Sequence, residues 1–193
     1  KFDGQRMYYL NGKFYSRTNK EINSEPIKHI IEQLKDFPQD KVLDGELIYF
    51  KDDNYKEDFQ KTVALSGKEI WQDGCERLYY VLFDIIDKDE FLAKNVTKPF
   101  KVTYAKLINN LQAKKVNSKS ALLNTKYRNV LIAEQMEYNE FNHLFAMVNE
   151  FGWEGIMLRD ADQPYQCKRT SVLQKIKKMQ DNEFQLVRFN IGT

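Results

Sequence analysis

Four polar segments place residues able to do chemistry where packing alone would not. They are Lys1-Phe2-Asp3-Gly4-Gln5-Arg6, Leu43-Asp44-Gly45-Glu46-Leu47, Trp153-Glu154-Gly155-Ile156-Met157-Leu158-Arg159 and Leu173-Gln174-Lys175-Ile176-Lys177. In the second and third, a carboxylate (Glu46, Glu154) enters an otherwise apolar strand-like run. In the fourth, a two-residue side-chain period sends Lys175 and Lys177 to one face and Ile176 to the other. Paired lysines, a separate Lys/Arg segment and two carboxylates describe an anion site that also holds a divalent cation. Phosphate needs cationic donors, and Mg²⁺ takes a few carboxylates together with phosphate oxygens. Taken singly, each feature has a plainer reading. Asp-Gly is a common turn, Lys175 and Lys177 could be a solvated strand face, Phe83 could be core and Arg17 a surface arginine.

The elements that must position these residues alternate between strand-like and helix-like along the chain. Residues 7–15 read as two short strands around Asn11-Gly12, a tight-turn dipeptide. A helix is predicted over 25–37, with Ser24 as N-cap, Pro26 in the first turn and Pro38 as its stop. Its apolar stripe is Ile27, Ile30, Ile31 and Leu34. Strands are predicted at 42–50 and 79–86, the latter (YYVLFDII) apolar enough to be buried on both faces. Tyr104, Leu107, Ile108 and Leu111 mark a second helix. Phe141, Leu144, Phe145, Val148 and Phe151 mark a third, ended by Gly152. Short strands follow at 155–159, 173–177 and 183–189. Successive strands without intervening helices indicate an α+β fold with mainly antiparallel strands.

Composition narrows the class. The 193 residues fit one large domain or two small ones, and no repeat or linker divides them. With 42% hydrophobic residues, 11 Tyr and 13 Phe, the chain can build a sizeable core, which excludes a disordered tail. Thirty Lys+Arg against 28 Asp+Glu leave a net charge of +2, which argues against wholesale coating of nucleic acid but leaves room for a local basic groove. No apolar run is long enough to span a bilayer. Cys75 and Cys167 fit no CxxC spacing. No Walker loop is present. Both histidines, His29 and His143, fall on predicted helices, which speaks against a histidine triad or zinc centre. A soluble intracellular globular protein is expected.

Taken in order, the polar segments resemble the covalent nucleotidyltransferase superfamily, most closely the adenylation domain of ATP-dependent DNA ligases. Lys1 to Arg6 match the family's KxDGxR motif and Ser16-Arg17 its SR motif. Asp44-Gly45-Glu46 match DGE, Phe83-Asp84 the FD segment, Glu154-Gly155 EG, and Lys175-Ile176-Lys177 KxK. The resemblance implies an α+β catalytic domain of antiparallel β-sheets flanked by helices, with ATP in the groove between. It implies that Lys1 attacks the α-phosphorus of ATP, releases pyrophosphate and becomes lysyl-AMP. The AMP then passes to the 5′-phosphate of a nick in double-stranded DNA, and the 3′-hydroxyl displaces it. It puts Lys175 and Lys177 on the α-phosphate, and Arg6, Arg17 and Glu46 near the ribose or the nick phosphate. It puts Phe83 on the adenine, Glu154 (with Glu46) on Mg²⁺ or Mn²⁺, and Arg169 near the phosphates. Arg159 stands where many relatives have lysine. Like-charge repulsion from Lys175, Lys177, Arg6 and the metal is expected to favour the neutral Lys1 amine.

The resemblance also implies that residues 1–193 lack a preceding strand and a following OB-fold domain. A monomer is expected, with no membrane attachment, in the cytoplasm of a bacterial or phage-infected cell or in a nucleus. The setting would be DNA replication, repair or recombination. The nearest rivals are an RNA ligase and a GTP-dependent mRNA capping guanylyltransferase, which share KxDG and KxK. A non-catalytic nucleic-acid-binding module is the alternative from another class.

Overall fold

The alternation read in the sequence becomes a seven-stranded sheet in the computed structural model, which describes residues 1–115, 121–137, 139 and 141–177. Strands β1 (Gln5–Leu10) and β2 (Lys13–Ser16) form the hairpin around Asn11-Gly12. β3 (Lys41–Tyr49) pairs with β1, and β4 (Leu78–Asp87) with β3, all antiparallel. Beyond β4 lie β7 (Val130–Ala133), β6 (Leu122–Asn124) and β5 (Lys114–Lys115). The β4–β7 pair is parallel, the exception to an antiparallel sheet, and the intervening residues make the crossover that parallel strands require. A separate antiparallel pair joins β8 (Gly155–Arg159) to β9 (Leu173–Lys177), at the bounds the sequence predicts. The strand expected at 183–189 lies outside the described residues.

Helices cover one face of the large sheet. α1 (Lys28–Leu34) and α4 (Phe100–Leu111) press Ile30, Leu34, Leu107 and Leu111 against Leu43, Leu47, Tyr80 and Leu82 in the principal core. The helix predicted from residue 25 begins as a 3₁₀ turn, Glu25–Ile27, and Ser24 makes no side-chain cap. The Asn23 side chain accepts the Glu25 amide instead, at 3.2 Å. Two short helices, α2 (Phe59–Ser66) and α3 (Lys88–Leu92), were not anticipated. α5 (Phe141–Phe151) packs on β8, and Gly152 follows it with a φ of 68°. Among the described residues no helix is long and apolar enough to cross a membrane.

The opposite face of the sheet carries the chemistry. Along β3, Val42 and Ile48 belong to two smaller apolar clusters, and Asp44 and Glu46 stand between them on the same face. On β4 a bulge changes the alternation. Asp44 pairs with Asp84 while Gly45 pairs with Leu82, so Phe83 has no partner on β3. Leu82 and Ile85 therefore both reach the helix-covered core. Phe83 and Asp84, adjacent in sequence, both turn to the other side, where Phe83 meets Arg6 and Asp84 meets Arg159.

Candidate active site

Lys1 lies where the small sheet meets the large one. Phe2 is buried against Ile48, Phe50 and Val81, and its ring lies 6.1 Å from that of Trp153. This packing points the Lys1 side chain at the head of β8. Its Nζ donates to a Glu154 carboxylate oxygen, and to the Phe2 carbonyl at 3.0 Å. The other Glu154 oxygen pairs with Lys177 Nζ. Gly155 pairs with Lys177 and Met157 with Lys175, so both lysines enter from β9 on one strand face. Glycine is required at 155: its φ is 155°, and a Cβ there would collide with the Ile176 carbonyl.

The turn after Lys1 is held from β3. Gly4 lies so close to the Leu47 carbonyl that any side chain would clash. Its amide donates to Glu46 Oε1 at 3.1 Å, and the Asp3 amide donates to Glu57 Oε2 at 2.8 Å. Arg6 is not free to repel Lys1. Its guanidinium grips buried Asp44 in a two-pronged pair, Nε to Oδ1 at 2.8 Å and Nη2 to Oδ2, which holds it charged. The same guanidinium carbon lies 5.6 Å from the centre of the half-buried Phe83 ring.

The electrostatics correct one expectation. The Lys1 amine is lowered from its ordinary value chiefly by burial, with the repulsion of Lys177 and Lys175 as smaller contributions and with Glu46 and Asp3 opposing. Burial likewise raises the Glu46 carboxyl against the pull of Lys1 and the Gly4 amide. On the far side of the bulge, Arg159 Nη2 donates to Asp84 Oδ2 at 3.0 Å and stacks 3.7 Å from the centre of the Phe100 ring. Arg159 thus ties β8 to β4 and α4, a role its sequence position did not suggest.

Lys1, Arg6, Glu46, Phe83, Glu154, Lys175 and Lys177 are brought to this one region. Arg17 is exposed in the turn after β2 and Arg169 in the loop before β9. Among the described residues neither makes an ion pair with the others. Glu57 went unnoticed in the sequence because it sits in a polar run, Lys51 to Asp58. Only its isolated bridge with Phe50 turns it inward. An amine made more basic-poor by burial, two further ammonium groups beside it, an aromatic ring and acidic donors together suit attack on a nucleotide phosphate.

These features agree with known proteins. A family model described as the ATP dependent DNA ligase domain matches residues 1–177. The chain belongs to the ATP-dependent DNA ligase domain family. A DNA ligase of Haemophilus influenzae is 27% identical across the whole chain, which spans 61% of that relative's length. Among solved structures, a Lig E DNA ligase superposes with a TM-score of 0.64 at 20% identity, over 92% of this chain and 60% of the other. An adenylated Chlorella virus DNA ligase gives 0.62 at 21% identity, over 92% and 59%. The ATP-dependent DNA ligase of bacteriophage T7 in complex with ATP gives 0.61 at 17%, over 92% and 60%. The fold is thus that of DNA ligase catalytic domains, and the chain spans about three-fifths of the length of these relatives.

Proposed function

We propose that this chain is the adenylation domain of an ATP-dependent DNA ligase and that Lys1 is its nucleophile. The observation that carries the reading is the meeting of Lys1, Glu154 and Lys177 at the junction of the two sheets, in a chain of this family. A neutral Lys1 amine attacks the α-phosphorus of ATP. The N–P bond forms, the bond from the α-phosphorus to the bridging oxygen breaks, and pyrophosphate leaves. Burial shifts Lys1 toward the neutral amine, while Lys175 and Lys177 meet the charge that grows on the phosphoryl oxygens. Phe83 stacks on the adenine, with Arg6 beside it. Arg17 and Arg169 reach the nick phosphate. The AMP passes to a 5′-phosphate of nicked double-stranded DNA, and the 3′-hydroxyl seals the strand.

Glu154 and Glu46 are the residues that would hold Mg²⁺ or Mn²⁺. Among the described residues no group of three or more His, Cys, Asp or Glu side chains is arranged to hold a metal ion by itself. Two carboxylates would serve Mg²⁺, which takes one or two of them and completes its shell with substrate phosphates and water. When bound, the cation neutralises triphosphate charge.

The test is the intact mass of the full-length protein after incubation with Mg²⁺ and either ATP or GTP, beside Lys1→Ala. One added AMP from ATP alone, absent in Lys1→Ala, is the expected result. A GMP adduct would transfer the reading to a capping guanylyltransferase. An AMP adduct that seals nicked RNA but not nicked DNA would transfer it to an RNA ligase. We further propose a monomer acting in DNA replication, repair or recombination, in the cytoplasm or, in a eukaryote, the nucleus.

A further inference from the structure

Two carboxylates from different parts of the chain grip the turn that follows Lys1. Glu46 comes from β3 and takes the Gly4 amide, and Glu57 comes from the bridge opposite Phe50 and takes the Asp3 amide. Half-buried backbone amides outside a helix or strand still need partners. Here two consecutive ones are fixed by acidic side chains. The arrangement is unfavourable for Glu57 itself. Its second oxygen, Oε1, is buried without a hydrogen-bond partner among the described residues. Burial also pushes its carboxyl up to about 7. An acid kept where its charge is disfavoured, with one oxygen spent on a single amide, marks a position held for geometry at a cost in stability. Glu57 makes no hydrogen bond to the Lys1 side chain and is not among the charges that shift its amine, which leaves the turn as the route of its effect.

We infer that Glu57 is a positioning residue for the nucleophile: by anchoring the Asp3 amide it fixes the direction from which the Lys1 amine meets the α-phosphorus. This rests on the reading of Lys1 as the nucleophile. Three substitutions separate placement from charge. Glu57→Gln keeps an oxygen acceptor at the same reach. Glu57→Asp keeps the charge but withdraws it by one methylene. Glu57→Ala removes both.

The measurement is single-turnover lysyl-AMP formation by the full-length protein with Mg²⁺ over a range of ATP concentrations. Glu57→Gln is expected to stay within about threefold of the wild-type limiting rate, whereas Glu57→Asp and Glu57→Ala fall by about ten- to a hundredfold, the scale of loss for a misplaced reacting group. The half-saturating ATP concentration should move less than about twofold in all three, because uniform binding is not what was removed. If Glu57→Ala does not fold, the contrast between Gln and Asp decides. A fast Asp variant with a slow Gln variant would make charge the cause and overturn the inference. Equal rates in all three would also overturn it, as would a raised half-saturating ATP concentration at an unchanged limiting rate. A wild-type protein that forms no lysyl-AMP would remove the reading of Lys1 and the inference together. A normal wild type beside a normal Glu57→Asp removes the inference alone.

Discussion

A lysine amine attacks only as the free base, and in water it is almost fully protonated at neutral pH. At Lys1 the shift toward the free base comes first from burial, and Lys177 and Lys175 add to it. This ranking has a measurable consequence. The rate of lysyl-AMP formation should rise with pH and level off below the ordinary lysine range, since the neutral fraction rises through a lowered pKa. Lys177→Met removes a like charge and, on the proposed mechanism, a phosphate contact. It is expected to lower the plateau and also to move the midpoint of the rise to higher pH. A pH–rate profile of the two proteins checks this: a lower plateau with an unmoved midpoint would confine Lys177 to the phosphate. Glu154 faces both ammonium groups, so exchanging it for Gln should alter Lys1 and Lys177 together rather than either alone.

At the scale of elements, the bulge in β4 and the pair that closes it determine how β8 meets the large sheet. Asp84 is fully buried and Arg159 nearly so, at 0% and 13% side-chain exposure. Burial raises the Asp84 carboxyl to about 6, even with Arg159 opposing. The folded value lies above the unfolded 3.8, so the sign is fixed. The contribution to stability is complete below pH 3.8 and is lost as pH rises through about 6. Arg159→Met keeps much of the stacking on Phe100 but leaves the buried carboxylate without its cation, with the Ile85 amide and the Thr103 side chain as its remaining partners. Breaking such a pair costs roughly 3–5 kcal/mol when the remaining charge stays ionised. Asp84 can instead take a proton, so the deficit should be largest near pH 8 and shrink below pH 6. Denaturant unfolding of wild type and variant at both pH values tests this, and equal deficits would show that Asp84 does not titrate as argued.

The same elements show what the sequence disclosed. β8 and β9 were legible because Gly155–Arg159 is a short apolar run behind a carboxylate and Leu173–Lys177 alternates apolar and polar side chains. α2 was not, because Phe59 and Val63 remain exposed while the face it buries is largely polar, Thr62 and Ser66 with Leu65 beside them. Asp58, which caps the Lys61 amide at 3.0 Å, was the available signal. The four residues of β7 are too short to distinguish strand from loop. The motif residues of the site were legible as an ordered set, but their partners were not. Asp44 for Arg6 and Asp84 for Arg159 are pairings across strands, set by register and by a bulge, and Glu57 for Asp3 joins two segments outside the strands, none of which a local pattern encodes.

At the scale of the whole chain, charge balance sets how the proposed DNA contact could work. If the chain acts on a nick as proposed, its net charge of +2 provides little long-range attraction, and its own contribution to binding comes from a few local phosphate contacts rather than from an overall field. The exposed cations are dispersed accordingly. Arg17 lies at the β2 turn at one edge of the large sheet, and Lys168, Arg169 and Lys175 lie on and before β9. Each phosphate neutralised in duplex DNA contributes about 0.9 to the slope of log affinity against log salt. If Arg17 takes one nick phosphate, Arg17→Ala should make that slope shallower by about 0.9. The loss should fall on binding more than on lysyl-AMP formation, because Arg17 stands apart from the Lys1–Glu154–Lys177 junction. Lys175→Ala should show the reverse weighting, since Lys175 shares a strand face with Lys177. The measurement is equilibrium binding to a nicked duplex with a blocked 3′ end over a salt series, beside adenylation of the same variants. An unchanged slope in Arg17→Ala would take that arginine off the DNA and leave the β9 side as the place where the nick is held.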